Sequence, residues 1–226
     1  MPAFHTLQAN LGPVNALVHL LAVVAPPLCW CCGAGANPRE PLCRSCRAGL
    51  QRLGSEPVVL AGCEAWAPLA YEGAARALVR ALKYRNAVEL AGPMAAQIAA
   101  NAPADLLRAD HTLVPVPLHP ARMRRRGFNQ AERLASALAV RTSLALCDCL
   151  QRRGPATRQV GSNRRERLER PSGAVSLWPG RPVPGRVVLV DDVATTGATL
   201  AACAAVLRAA GATRVVAVAF ARTPGR

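Results

Sequence analysis

Four consecutive apolar, mostly β-branched residues, Val187-Val188-Leu189-Val190, run into two adjacent carboxylates, Asp191 and Asp192, and then into the small-residue turn Val193-Ala194-Thr195-Thr196-Gly197-Ala198-Thr199. An unbroken apolar run of this kind reads as a strand buried on both faces, and such strands belong to parallel sheets covered by helices. The turn leads into a helix that begins near Thr199. In open parallel sheets, ligands bind outside the carboxyl ends of the strands, where a helix N-terminus offers free N–H groups to an anion. Ala194, Gly197 and Ala198 let the backbone approach closely, and the hydroxyls of Thr195, Thr196 and Thr199 can donate to phosphate oxygens. The stretch therefore predicts an α/β fold with an anion site at the end of a central strand.

Two carboxylates beside a phosphate make sense if they face another part of the ligand. A sugar carries vicinal hydroxyls close to its 5′-phosphate, and carboxylates accept from both or bind Mg²⁺. The run resembles the ribose-phosphate motif of type I phosphoribosyltransferases: apolar strand, acidic pair, Thr-Thr-Gly turn. The resemblance implies a Rossmann-like parallel sheet in which Asp191 and Asp192 hold the ribose hydroxyls. Val193, Ala194, Thr195, Thr196, Gly197, Ala198 and Thr199 would then cradle the 5′-phosphate.

A chain of 226 residues buries one sizeable core with room for a small appended module. With 51% hydrophobic and 18% charged residues, it reads as globular and not as disordered. Its formal charge of +15 favours polyanionic partners, such as nucleic acid or a pyrophosphate. The apolar run Leu17 to Val24 has no preceding Lys or Arg, is interrupted by His19 and meets Pro26-Pro27, so it reads as a docking amphipathic helix and not as an export signal or membrane span.

Cys29-x₂-Cys32 and Cys43-x₂-Cys46 form two knuckles able to close a tetrahedral thiolate site on Zn²⁺, with Gly33 making the tight turn after the first. Cys31 can stand in for Cys29 or Cys32. Nine cysteines, an odd number, fit a reducing cytoplasm better than a disulfide framework. Cys63, Cys147, Cys149 and Cys203 sit at apolar positions and read as core.

From Pro57 onward the pattern alternates strand and helix. Cys63 to Tyr71 reads as one strand, and the helix from Ala74 to Tyr84 carries a buried stripe at Ala75, Leu78, Val79 and Leu82. Its other face bears Arg76, Arg80 and Lys83, ordinarily a solvated basic face. At its end, Tyr84 between Lys83 and Arg85 can stack on a base. A strand at Thr112 to Pro117 closes on prolines. Arg122, Arg124, Arg125, Arg126 and Gly127 then read as a mobile cationic flap before a helix that Asn129 caps, with Ala131, Leu134, Ala135 and Leu138 as its buried stripe. A second basic block, Gln151 to Arg170, reads as a loop closing over ligand or as a nucleic-acid track.

The string Val-Pro-Val-Pro-Leu-His-Pro, the Arg-rich segment, Arg-Gly-Phe-Asn-Gln-Ala, the cysteine module and the Leu-Lys-Tyr helix end together resemble the ComF family of competence-associated phosphoribosyltransferase-like proteins. That resemblance implies a small zinc module ahead of a phosphoribosyltransferase fold. It implies a role in handling single-stranded DNA during natural transformation, with a DNA-uptake helicase as a partner. It places Arg126, Gly127, Phe128, Asn129 and Gln130 next to the ligand cleft and offers Thr157, Gln159 and Arg165 as family-like positions in the second basic block, with Lys83, Arg165 and the four arginines available to pyrophosphate or nucleic acid. The expected organisation is an N-terminal helical segment over 1–28, a double-CxxC module over 29–56 and a phosphoribosyltransferase-like domain over 57–226. Two function classes follow. One is a cytoplasmic single-stranded-DNA-binding protein that keeps a pocket for phosphoribosyl pyrophosphate or a nucleotide. The other is an active phosphoribosyltransferase using Mg²⁺, in which positioning and electrostatics carry the transfer.

Overall fold

The computed structural model describes residues 27–37, 40–153 and 174–225. The main sheet has strand order β1-β2-β9-β8-β4-β5: β1 (Val58–Leu60), β2 (Cys63–Trp66), β4 (Thr112–Pro115), β5 (Ala145–Leu146), β8 (Arg186–Ala194) and β9 (Arg214–Arg222), with β3 (Leu69–Ala70) also pairing β9. Only β1 and β2 run antiparallel to each other; every other pair in this sheet is parallel. The expected mostly parallel α/β fold is the one the chain adopts. A separate antiparallel hairpin joins β6 (Leu150–Arg153) to β7 (Ala174–Leu177).

Helices cover both faces. Val188 and Val190 of β8 pack with α2 (Gly73–Tyr84), α3 (Ala91–Asn101) and α5 (Gln130–Thr142), while Val187 and Leu189 pack with α6 (Ala198–Ala209) and the β6–β7 hairpin. All four residues of that apolar run are fully buried, as a strand with helices on both sides requires. The predicted stripes of α2 and α5 are buried as expected.

Three local expectations change. The strand Cys63 to Tyr71 is two strands, because Pro68 lacks an N–H and its carbonyl is taken by Leu53 N–H at 2.9 Å. The cationic flap is a helix, α4 (Pro120–Arg126): His119 caps it by accepting from Ala121 N–H at 3.1 Å, Pro120 opens it, and Gly127 closes it in the left-handed region. The central strand does not stop at Val190. It continues through both carboxylates to Ala194, held by the register of Asp191 with Ala219 and Val193 with Ala221.

Prolines are tolerated in β4 for a geometric reason. Val116 N–H donates to Val190 at 3.0 Å, so even-numbered amides of this strand point to β8 and the missing amide of Pro115 points the other way. On that side β5 has already ended, opposite Leu113. The Leu17 to Val24 helix and the block beyond Arg153, with Thr157, Gln159 and Arg165, lie outside the described residues.

Candidate functional site

At the carboxyl ends of β4 and β8, a cavity of about 200 Å³ opens between the two helical layers. Asp191, Asp192, Lys83, Gln130, Arg122 and Arg152 border it, together with Tyr71, Thr195 and Thr199. Successive residues of a strand point to opposite faces. Asp192 therefore sits on the α2 and α5 side, and Asp191 on the side of α6 and the hairpin. They reach one cavity because both faces of the sheet meet the mouth at the strand end.

The two carboxylates have unequal surroundings. Asp192 is 2% exposed; Lys83 Nζ lies 2.5 Å from its Oδ2, and Gln130 Nε2 donates to its Oδ1 at 3.2 Å. Burial would pull the Lys83 ammonium down, but Asp192, with Asp191 adding to it, outweighs this and holds it above the ordinary lysine value. Lys83, read from sequence as one cation on a solvated face, is in fact the half-buried partner of a buried carboxylate. Asp191 is half-buried and accepts from Asp192 N–H at 2.8 Å. Burial and the adjacent Asp192 carboxylate push its carboxyl well above the usual range, with Lys83 opposing them.

Gln130 is held from behind. Asn129 caps α5 by accepting from Ala131 N–H at 3.1 Å and donates through Nδ2 to the Val116 carbonyl at 3.0 Å, which ties the helix start to the end of β4. Arg126 donates to Gln130 Oε1, and its guanidinium lies over the Tyr84 ring, 5.5 Å from the centroid. Arg122 and Arg152 bring positive charge to the cavity wall. Burial and the Arg122 cation pull the Arg152 guanidinium below its ordinary value. Arg124 and Arg125 are exposed on α4 and do not border the cavity. In the sequence Arg152 is only one member of a charge block; nothing local in β6 distinguishes it.

The turn after β8 divides its residues between cavity and core. Val193, Thr195 and Thr199 border the cavity; Ala194 is buried in the core, and Thr196 and Ala198 are exposed. Gly197 is required for packing. It holds φ +78°, and a Cβ there would stand 2.4 Å from Leu60 Cβ and 2.7 Å from the Leu60 carbonyl oxygen. The close approach that demands glycine is thus to the β1–β2 hairpin.

A second site lies where the cysteine module meets the sheet. The sulfur atoms of Cys29, Cys32, Cys43 and Cys46 all lie within 4.8 Å of one another, and those of Cys32 and Cys43 are 3.7 Å apart. Four thiolates around a tetrahedral metal at Zn–S near 2.3 Å stand roughly 3.8 Å apart, so this donor set could hold such an ion. Cys31 is exposed and outside this group of four. Gly33 N–H closes the first knuckle on the Cys29 carbonyl at 2.9 Å, and Cys43 Sγ caps α1 (Arg44–Ala48) by accepting from Cys46 N–H at 3.5 Å. Burial alone would push the Cys29 thiol up, but backbone N–H groups of Cys32, Cys43 and Cys31 bring it down to about 6. Cys29 and Leu42 are buried in the same core as α2 and α3. Among the described residues, no helix is long and apolar enough to cross a membrane.

No family model matches the chain. Among solved structures, it is similar to orotate phosphoribosyltransferase from Aeropyrum pernix, at 24% identity and a TM-score of 0.35, covering 76% of this chain and 75% of that one. That overlap is too loose to assign a role to any residue. Over 105 residues, 46% of this chain and 44% of the relative, it is 36% identical to Competence protein ComFC of Streptococcus pneumoniae. Over 112 residues, 46% of this chain and 47% of the relative, it is 35% identical to Competence protein F of Haemophilus influenzae. The chain spans about half the length of the curated relatives it matches. Over those residues it is a relative of the competence proteins, and the ComF resemblance drawn from its motifs is borne out.

Proposed function

We propose that this chain is a ComF-type competence protein that binds single-stranded DNA during DNA uptake, on the cytoplasmic side, and keeps a cavity for phosphoribosyl pyrophosphate. The observation that carries the pocket reading is the cavity itself: Asp191 and Asp192 inside it, Lys83, Arg122 and Arg152 around it, and Thr195 and Thr199 at the helix start. Asp192 already meets Lys83 and Gln130, so Asp191 is the carboxylate left to accept ribose hydroxyls or to hold Mg²⁺. The 5′-phosphate would take the Thr195 to Thr199 turn, and the pyrophosphate the arginines. Zn²⁺ on Cys29, Cys32, Cys43 and Cys46 would cross-link the module and act structurally. The nucleic-acid reading is supported by the net charge of +15 and by the exposed Arg124 and Arg125, which the cavity does not use.

A second reading, phosphoribosyl transfer, draws on the same cavity. There the bond from sugar C1 to pyrophosphate would break with the electron pair leaving on pyrophosphate, and a nucleophile would bond to C1. The cations would stabilise the leaving group while a carboxylate fixes the sugar.

Calorimetry of the zinc-loaded full chain with Mg²⁺-phosphoribosyl pyrophosphate, paired with an unstructured oligonucleotide at near-physiological salt, tests both. The expected result is binding of each ligand, with Asp191→Asn plus Asp192→Asn abolishing the first alone. Replacing Arg124, Arg125 and Arg126 by Ala should weaken DNA binding and flatten its salt dependence, the slope falling by about 0.7 for each phosphate that is no longer neutralised. Absence of phosphoribosyl pyrophosphate binding would remove the pocket reading, and release of pyrophosphate on adding a base would favour the enzyme.

A further inference from the structure

Tyr84 ends α2, next in the chain to the cavity-lining Lys83, and is 65% exposed. The Arg126 guanidinium lies over its ring, 5.5 Å from the centroid. Arg126 is itself fixed by Gln130, which is 7% exposed and reaches Asp192 at 3.2 Å. A chain of contacts thus runs from the buried carboxylate to an exposed aromatic ring and holds a cation and a ring in one stack at the surface. Along α2, Arg80 and Arg76 lie four and eight residues before Tyr84, on the same exposed helix face. On the other side, α4 presents Arg122 and Arg125, both exposed. An exposed ring stacked with a guanidinium and flanked by cations at both ends is the surface that an unpaired base with its flanking phosphates recognises.

We infer that Tyr84 and Arg126 form a stacking platform for an unpaired nucleobase of a single strand, with Arg76 and Arg80 on one side and the α4 arginines on the other following its phosphates. This rests on the nucleic-acid reading above and adds a site to it that the cavity does not contain. The base is recognised by its π face alone, so the platform tolerates any sequence.

The test uses the full chain, an oligothymidylate of about ten nucleotides and an abasic oligonucleotide of equal length and charge, followed by fluorescence anisotropy at two salt concentrations. Wild-type protein should bind the base-bearing strand about tenfold more tightly than the abasic one. Tyr84→Leu should erase that preference and leave the abasic affinity and salt slope unchanged, whereas Tyr84→Phe should keep it. Equal wild-type affinity for the two strands, or a Tyr84→Leu loss that falls on both alike, would overturn the platform while leaving nucleic-acid binding in place. Wild-type protein that binds neither strand would overturn the platform together with the reading beneath it.

Discussion

In the tetrathiolate cluster all four sulfur atoms come from one short run, Cys29 to Cys46, whereas the cavity collects Lys83 from α2, Gln130 from α5, Arg152 from β6 and its carboxylates from β8. The first site is fixed by chain spacing and two tight turns, so local geometry alone gathers four donors that could hold a metal. The second exists only when the sheet and both helical layers have packed. Their electrostatics differ too. The cluster gathers four sulfur donors of one kind, while the cavity already balances Asp192 with Lys83 at 2.5 Å. The cysteine site has the donors that could take an added ion; the cavity has already paired Asp192 and keeps Asp191 available.

The contrast breaks most visibly at the cysteine module. Cys43→Ser removes a candidate ligand while its hydroxyl can still cap α1, and the module shares its core with α2 and α3. Loss of metal and more than about 4 kcal/mol of stability is expected, read by metal content and denaturant unfolding. An unchanged unfolding midpoint would show that the module is held by packing alone. At the cavity, Lys83→Met leaves a carboxylate that is 2% exposed without its cation and should cost about 3 kcal/mol, with Asp192→Asn in the same chain restoring most of it. Should the double variant be as unstable as the single one, Lys83 acts through packing and not through charge. Gly197→Ala drives a Cβ to 2.4 Å from Leu60 and should cost about 2 kcal/mol. Gly33→Ala in the first knuckle, at φ +76° with open space around it, should cost about 1 kcal/mol. Thermal unfolding of the two variants side by side checks the order.

The gentlest effect is a slope. The Asp191 carboxyl is held well above its ordinary value by burial and by Asp192, so the folded protein keeps a proton that the unfolded chain releases near pH 4. Its contribution is fully present below that pH and is lost as pH rises toward the raised folded value. Asp191→Asn should flatten this part of the stability profile, and a wild-type profile already flat between pH 4 and pH 7 would contradict the assigned burial. Ligand that needs the ionised carboxylate should bind more tightly as pH rises across the same range.

Much of this was legible in the chain because it was periodic or closely spaced. The buried run Val187 to Val190, the stripes of α2 and α5, the Asn129 cap and the two cysteine knuckles each announce themselves within a few residues. The arginine helix α4 is not legible as a helix: Pro120 and Gly127 mark its two ends, but its density of charge reads as a solvated flap. Lys83 could not be separated from Arg76 and Arg80 by helical position. What distinguishes it is the carboxylate that β8, far along the chain, places opposite.

The sequence by itself determined that a buried strand ends near two carboxylates and that four cysteines can converge, because alternation, run length and short loops are properties of neighbouring residues. Only the tertiary structure decided that the strand runs on through the pair, sending Asp192 toward Lys83 and Gln130 and leaving Asp191 on the side of Arg152. Strand length is set by the register with β9, and burial of a charge by which helix arrives to cover it. Both depend on contacts between elements far apart in the chain, and no local pattern encodes them.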